Sequence, residues 1–309
     1  MEARLRPLVK GALSFYVPSL RTFHQPLPAS TATAEYCYSM FLRHLSYVTP
    51  LRPTMPAVVA EFGPGSSIGM GLAALIAGAR TYYGLDIVDH TDRQRNLEIF
   101  DRLAALFRAQ TPIPADGVNA DTFPLPASWA FPDALAADAQ ALFSDARLAA
   151  IRADLADGAE RFVRMRAPWT SRSLTDAGGV DWIMSQSVLM YVDDPAAVID
   201  NFKLWLAPDG VMTHEIDYTC SALTRHWNGH WALSDLTMRM MRGRRPHLLN
   251  RLPHSAYVRL FEERGYRIAV ERRDRRDPAL PARRFAAEFR DMSAGDQETA
   301  EGFLVCVPA

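Results

Sequence analysis

The stretch Val58-Val59-Ala60-Glu61-Phe62-Gly63-Pro64-Gly65-Ser66-Ser67-Ile68-Gly69 decides the fold. Residues 57–62 are mostly apolar and read as a buried strand; two glycines close it, and serines open a helix expected over 66–77. Gly63 and Gly65 have no Cβ to hold a ligand away from the main chain, and free amides at a helix start can receive an anionic group. Glu61 puts negative charge just before the turn, where a pyrophosphate would be repelled and an ammonium welcomed. The third glycine of a dinucleotide fingerprint is missing, Ile68 standing in its place. Downstream, Tyr82-Tyr83-Gly84-Leu85-Asp86-Ile87 reads as a second strand ending in an acid, and Asp86 is placed to accept hydrogen bonds from both hydroxyls of a ribose.

Working outward, Pro50, Pro53 and Pro56 form a stiff linker ahead of the first strand. Before them, Cys37, Met40, Phe41, His44 and Leu45 recur at helical spacing, so residues 1–56 are expected to be a helical cap with its linker, and 57–309 the main domain. Further strands are expected at 81–85, 161–165, 180–184 and 211–216, alternating with helices, which indicates parallel strands joined by crossovers. Asp194 as N-cap and Pro195 at the first helical position mark one such helix, and Pro208-Asp209-Gly210 a turn into the next strand. A helix over 255–264 closes at Gly265, and the strands 266–272 and 302–307 are expected to pair antiparallel at an edge. Residues 90–160 exceed a single crossover. Thr91 to Gln94 resembles a capping box, and a second helix is expected over 133–157, after a loop punctuated by Pro124, Pro126 and Pro132. This insertion reads either as a lid or as a structural flange.

With these residues in place, the sequence resembles the class I S-adenosylmethionine-dependent methyltransferases, whose acid-x-Gly-x-Gly motif matches Glu61-Phe62-Gly63-Pro64-Gly65. Val180 to Pro195 is similar to that family's fourth strand and the helix after it, and Leu206 to Val211 to its turn into the fifth. The resemblance covers 57–307 in outline, with specific motifs only between Val58 and Asp217. It implies an α/β, Rossmann-like sheet of seven mostly parallel strands with helices on both faces and the last strand antiparallel. It also implies S-adenosyl-L-methionine as methyl donor, Glu61 near the methionine ammonium and Asp86 on the ribose. The candidate cofactor-binding set is Glu61, Gly63, Gly65, Ser66, Ser67, Asp86, Ile87, Trp169, Ser185 and Ser187. Trp169 reads either as a partner for the adenine ring or as an aromatic covering the sheet's end.

Methyl transfer to a hydroxyl needs alignment and usually a base. Some of the family's small-molecule members have His where this chain has Tyr191, so that role does not carry over, and Tyr191 stands as a pocket residue. Beyond the fifth strand, His214-Glu215-Ile216-Asp217-Tyr218 leads into Arg225-His226-Trp227-Asn228-Gly229-His230-Trp231, a concentration of ionisable and aromatic side chains that reads as the acceptor site; His226 and His230 are candidate bases, on one face only if the segment is helical, which Gly229 argues against. No third residue completes a metal pattern, and no metal is expected.

The sequence carries a formal net charge of −1, which calls for neither nucleic acid nor an anionic membrane, and three widely spaced cysteines, which fit a reducing compartment. The expectation is a cytoplasmic methyltransferase acting on oxygen, less readily nitrogen, of a small-molecule acceptor, with its oligomeric state open. The alternatives are a nicotinamide-dependent oxidoreductase and a non-catalytic assembly partner.

Overall fold

The computed structural model describes residues 2–17, 33–113, 129–246 and 248–309. Its described strands are β1 (Val58–Phe62), β2 (Thr81–Leu85), β3 (Val163–Arg166), β4 (Val180–Gln186), β5 (Leu206–Asp217), β6 (Tyr266–Arg275) and β7 (Thr299–Pro308). They form one seven-stranded sheet in the order β3-β2-β1-β4-β5-β7-β6. β1 to β5 pair in parallel, whereas β7 runs antiparallel to both β5 and β6. This is the mostly parallel α/β sheet with an antiparallel last strand that the resemblance implies. β1 and β2 are buried at every position, as strands covered on both faces must be.

The helices are α1 (Leu5–Leu13), α2 (Ala34–Val48), α3 (Gly69–Ile76), α4 (Arg93–Arg108), α5 (Asp133–Ala137), α6 (Ala139–Leu142), α7 (Asp145–Asp157), α8 (Pro195–Trp205), α9 (Asp235–Arg242), α10 (His254–Glu262) and α11 (Ala294–Glu298). Two apolar layers sandwich the sheet. One unites α2, α3, α4 and α7 with Val59, Tyr82, Trp182, Met184 and Phe303; the other unites α8, α9 and α10 with Ala60, Phe62, Ile183, Met212 and Leu304. Successive strand residues alternate between the two layers, as the pleat dictates. α2 lies inside the first layer, and Tyr38, Phe41, Leu42 and Val48 on it are fully buried. In the other layer α1 packs on α9.

Several elements differ from expectation. α3 starts at Gly69 rather than at residue 66: Gly65 turns the chain at φ +68°, and the Ser67 hydroxyl faces the Cys37 thiol at 3.8 Å instead of capping the helix. Asp92, not Thr91, caps α4 by accepting from the Arg95 amide at 2.7 Å, while Thr91 bonds back to Asp89. The expected helix over 133–157 is three, α5 to α7, interrupted at Asp138 and Phe143, whose backbones leave helical geometry. α7 is the crossover into β3, and its buried Asp154 accepts from the Arg161, Phe162 and Val163 amides at 2.8, 2.8 and 3.0 Å. Pro208-Asp209-Gly210 is no separate turn but an excursion within β5, whose register with β4 jumps from Val180↔Leu206 to Trp182↔Val211. The C-terminal pair is antiparallel as expected, yet β7 slots between β5 and β6, leaving β6 at the edge. Pro124 and Pro126 of the insertion lie outside the described residues.

Candidate active site

Glu61 sits at the carboxyl end of β1 and is 4% exposed. Its carboxylate accepts from the Tyr82 hydroxyl at 2.7 Å and from the Gly71 amide in the first turn of α3, so a helix's positive end faces it. Burial outweighs these donors and pushes Glu61 up to about 7, with Asp86 adding repulsion. Tyr82 reaches Glu61 because parallel pairing of β1 with β2 puts both side chains in the α2–α3 layer. A Cβ on Gly71 would collide with the Tyr82 ring, so this glycine lets the pair form.

The turn itself is held from both sides. Gly63 has φ +75°, and a Cβ there would meet Val188 Cγ1 at 2.5 Å, so the loop after β4 packs directly on the glycine turn. Asp86, at the end of β2, accepts from the Gly65 amide at 3.2 Å and the Ile87 amide at 2.7 Å; the Ile87 side chain is exposed. Trp169 donates its amide to the Asp86 carbonyl at 3.0 Å and stacks edge-on against Phe62 and Trp205, half-buried beside the turn. The structure thus brings Glu61, Gly63, Gly65, Asp86 and Trp169 to one place, the carboxyl ends of adjacent parallel strands, where open α/β sheets bind ligands.

The serines after β4 divide. Ser185 points into the other layer, paired at 2.8 Å with His214, whose ring stacks between Phe202 and Phe261. Ser187, held at φ +52°, donates to Glu215 at 2.5 Å, and its amide donates to the Glu215 carbonyl. A directed chain of hydrogen bonds fixes the rest. Gln186 Oε1 can only accept, so neutral His44 carries its proton on Nε2 and its Nδ1 accepts from the Thr213 hydroxyl at 2.8 Å, whose oxygen in turn accepts from the Trp182 indole at 2.8 Å. His44 Nε2–H therefore donates to Gln186 Oε1 at 3.0 Å, and the Gln186 amide donates to Glu215 Oε2 at 3.2 Å. Burial pushes His44 down to about 4, which keeps it in this neutral form.

Glu215, Asp217 and Glu301 form a carboxyl cluster, Asp217 and Glu301 being cross-strand partners. Burial raises all three; repulsion from neighbouring carboxylates adds to it at Glu215 and Glu301, whereas Thr219 and Arg276 oppose it at Asp217. Tyr36 of α2 is hydrogen-bonded to Gln186 and feels both Glu215 and Glu61. Tyr191, in a 3-10 turn (Leu189–Tyr191), bonds Ser221 at 2.9 Å and feels Asp217 and Glu215. Tyr36 and Tyr191 thus both lie within the field of Glu215, which opposes their ionisation.

His226 and His230 are not joined to this cluster. His226 bonds Glu2 at 2.7 Å, and neither histidine shares a described hydrogen bond with the glycine turn or with Glu215. His230 lies in a single 3-10 turn, Gly229–Ala232, which excludes His226; its ring is 1% exposed against Trp231, and burial, with Arg251 nearby, pushes it down to about 3.

Sequence reading passed over Tyr36, His44 and Tyr82 as site residues. Period-two alternation puts Tyr82 and Glu215 on the Glu61 side, and the four-residue spacing of Tyr36, Met40 and His44 marks one helical stripe. Among the described residues, no group of three or more His, Cys, Asp or Glu is placed to hold a metal ion.

No family model and no curated protein matches the chain. Solved structures similar to it include the CurJ carbon methyltransferase (12% identity, 99% of this chain and 66% of that one, TM-score 0.45). The trans-methyltransferase CalH in complex with SAH aligns at 12% identity over 89% of this chain and 59% of that one, TM-score 0.41. The ribosomal protein L11 methylase from Lactobacillus delbrueckii subsp. bulgaricus aligns at 14% over 85% and 76%, TM-score 0.35. With scores this low, the fold assignment stands on the chain's own strand order and register.

Proposed function

We propose that this chain is an S-adenosylmethionine-dependent methyltransferase acting on a hydroxyl of a small-molecule acceptor. The observation that carries the reading is the buried Glu61 carboxylate at the start of α3, beside a glycine turn whose Cβ-less Gly63 is closed in by Val188. These residues fit the donor: Glu61 for its ammonium, the Gly63–Gly65 main chain for close approach, Asp86 for the ribose and Trp169 for the adenine. When bound, the donor supplies an electrophilic methyl group on a sulfonium.

The chain's own residues then have two tasks. Tyr36 and Tyr191 position the acceptor by the carboxyls of β5. Glu215, held by Ser187 and by the chain from Trp182 through Gln186, takes the hydroxyl proton as the oxygen–carbon bond forms and the carbon–sulfur bond breaks. The acceptor oxygen would thus give its proton to Glu215 and gain the methyl group in its place.

Calorimetry tests the donor assignment. S-adenosylhomocysteine should bind and NAD should not, and Asp86→Ala should weaken that binding. NAD binding alone would identify an oxidoreductase. Incubation of metabolite extracts with isotopically labelled S-adenosylmethionine then reads turnover; donor binding without transfer to any acceptor would point to an assembly role.

A further inference from the structure

Away from the candidate site, α1 and α9 meet so closely that a Cβ on Gly11 would strike the Met240 and Met241 carbonyls, and one on Gly243 would strike Gly11. Their buried residues, Gly11 on α1 and Met238 and Met241 on α9, face each other and the core. What they leave outside is unusual for a water-facing surface. Leu5, Val9 and Leu13 repeat every four residues along α1 and continue into Phe15 and Tyr16, while Leu236 and Met240 do the same on α9. Leu5 is 74% exposed, Tyr16 85% and Leu236 68%.

The charge of the same two segments is lopsided. Residues 2–17 and 234–246 hold seven Arg or Lys and two carboxylates, in a chain whose net charge is −1. Both carboxylates are already engaged, Glu2 by His226 and Arg284, and Asp235 by Arg251. Of the cations, Arg242 pairs with Asp193, while Arg4, Arg6, Lys10, Arg239 and Arg244 make no ion pair among the described residues. Lys10 feels Arg245 and Arg6 as repulsion, and Arg244 lies over the Phe15 ring at 5.4 Å.

Exposed aliphatic and aromatic side chains interleaved with uncompensated cations on short amphipathic helices match the chemistry of a bilayer interface carrying negative headgroups. We propose that the α1–α9 face docks this protein on an anionic lipid surface. Aliphatic side chains enter the headgroup–acyl boundary, and Arg4, Arg6, Lys10, Arg239 and Arg244 meet the headgroups. A nucleic-acid partner would satisfy the cations but leave the leucines in water. Among the described residues no helix is long and apolar enough to cross a membrane, so the contact is peripheral. The inference departs from the expectation drawn from net charge because the sum over the chain conceals a local excess. It is independent of the proposed methyl transfer.

The test is co-sedimentation of the full chain with vesicles of phosphatidylcholine alone or with about 30% phosphatidylglycerol, at low salt and at roughly 0.5 M salt, where screening is nearly complete. Binding is expected only to the anionic vesicles, and lost at high salt. Arg6→Gln with Arg239→Gln should weaken it about 30-fold, from roughly 1 kcal/mol per basic residue near such a surface. Leu5→Ser with Leu236→Ser should also weaken it, without lowering the thermal midpoint, since both side chains are exposed. Absence of wild-type binding, equal binding to neutral vesicles, or indifference to both double variants would each overturn the proposal. So would a dimer in light scattering that the Leu5→Ser, Leu236→Ser variant dissociates in the absence of vesicle binding, which would make the face a contact between copies.

Discussion

Glu61 makes donor binding a protonation problem. Burial holds it at about 7 in the unliganded protein, whereas an ammonium group requires the carboxylate. At pH 6 only about one molecule in eleven has Glu61 ionised, so affinity for S-adenosylhomocysteine should be about tenfold weaker than at pH 8, or about 1.4 kcal/mol. Calorimetry in buffers of different ionisation enthalpy reads the same event as nearly one proton released per binding at pH 6 and almost none at pH 8. In Glu61→Gln the affinity falls and its pH slope disappears. Folding stability of the unliganded protein responds with its own sign: a carboxyl raised in the folded state contributes stability that is full below the unfolded value near 4.5 and is lost as pH rises through about 7. That loss is on the order of 3 kcal/mol, which Glu61→Gln should remove and ligand should restore. The same pH slope in wild type and Glu61→Gln would refute the reasoning, and its survival in Glu61→Gln but not in Glu215→Gln would move the titration to the second carboxyl.

Three further outcomes are expected. Gly63→Ala forces a side chain into a left-handed backbone against Val188; donor affinity should drop at least tenfold by calorimetry, with stability lowered by about 1–2 kcal/mol in urea melts. Asp154→Ala leaves three amides at the start of β3 without their acceptor and should cost about 3 kcal/mol by chemical denaturation. Although burial opposes its ionisation, those amides hold the Asp154 carboxyl low, so the wild-type contribution is present above the unfolded value and fades only as pH falls through the lowered folded one. In single-turnover methyl transfer, Glu215→Gln should slow the step about 100-fold or more and flatten a rate that in wild type rises with pH above the ordinary carboxylate range, while His226→Ala changes neither.

The parts of the fold that could be read from the sequence are those where one local rule decides. Asp194 caps α8 by accepting from the Ala197 amide at 3.0 Å because a short acceptor followed by proline has few other uses. The glycine turn was legible because Gly63 and Gly65 both adopt positive φ. The misreadings arose where two local rules competed. Thr91 and Asp92 both suit a cap, and Asp89 drew Thr91 into its own turn. Pro208 to Gly210 reads as a turn in isolation, yet β4 pairs with Leu206 before it and Val211 after it, which keeps the segment within β5 as an excursion. The candidate acceptor wall was legible only in part: Glu215 and Asp217 stand in one segment of the chain, but nothing local ties His44 to them, since it meets Gln186 across 142 residues and Thr213 across 169.

That separation bears on what α2 does. A cap that merely covered the sheet would need only the apolar face that Tyr38, Phe41 and Leu42 supply. α2 also spends a buried histidine, whose desolvation costs stability unless both ring nitrogens are satisfied, as Thr213 and Gln186 satisfy them here. The return on that cost is orientation. With His44 neutral and donating to Gln186 Oε1, the Gln186 amide must turn its protons toward Glu215, so a residue on the N-terminal helix sets the donor field of the carboxyl proposed as base. His44→Phe would keep the volume and the packing while releasing Gln186. If orientation is its role, that variant should stay folded and bind S-adenosylhomocysteine normally, yet lose transfer rate and shift its pH profile. Unchanged transfer in a folded His44→Phe protein would reduce α2 to packing.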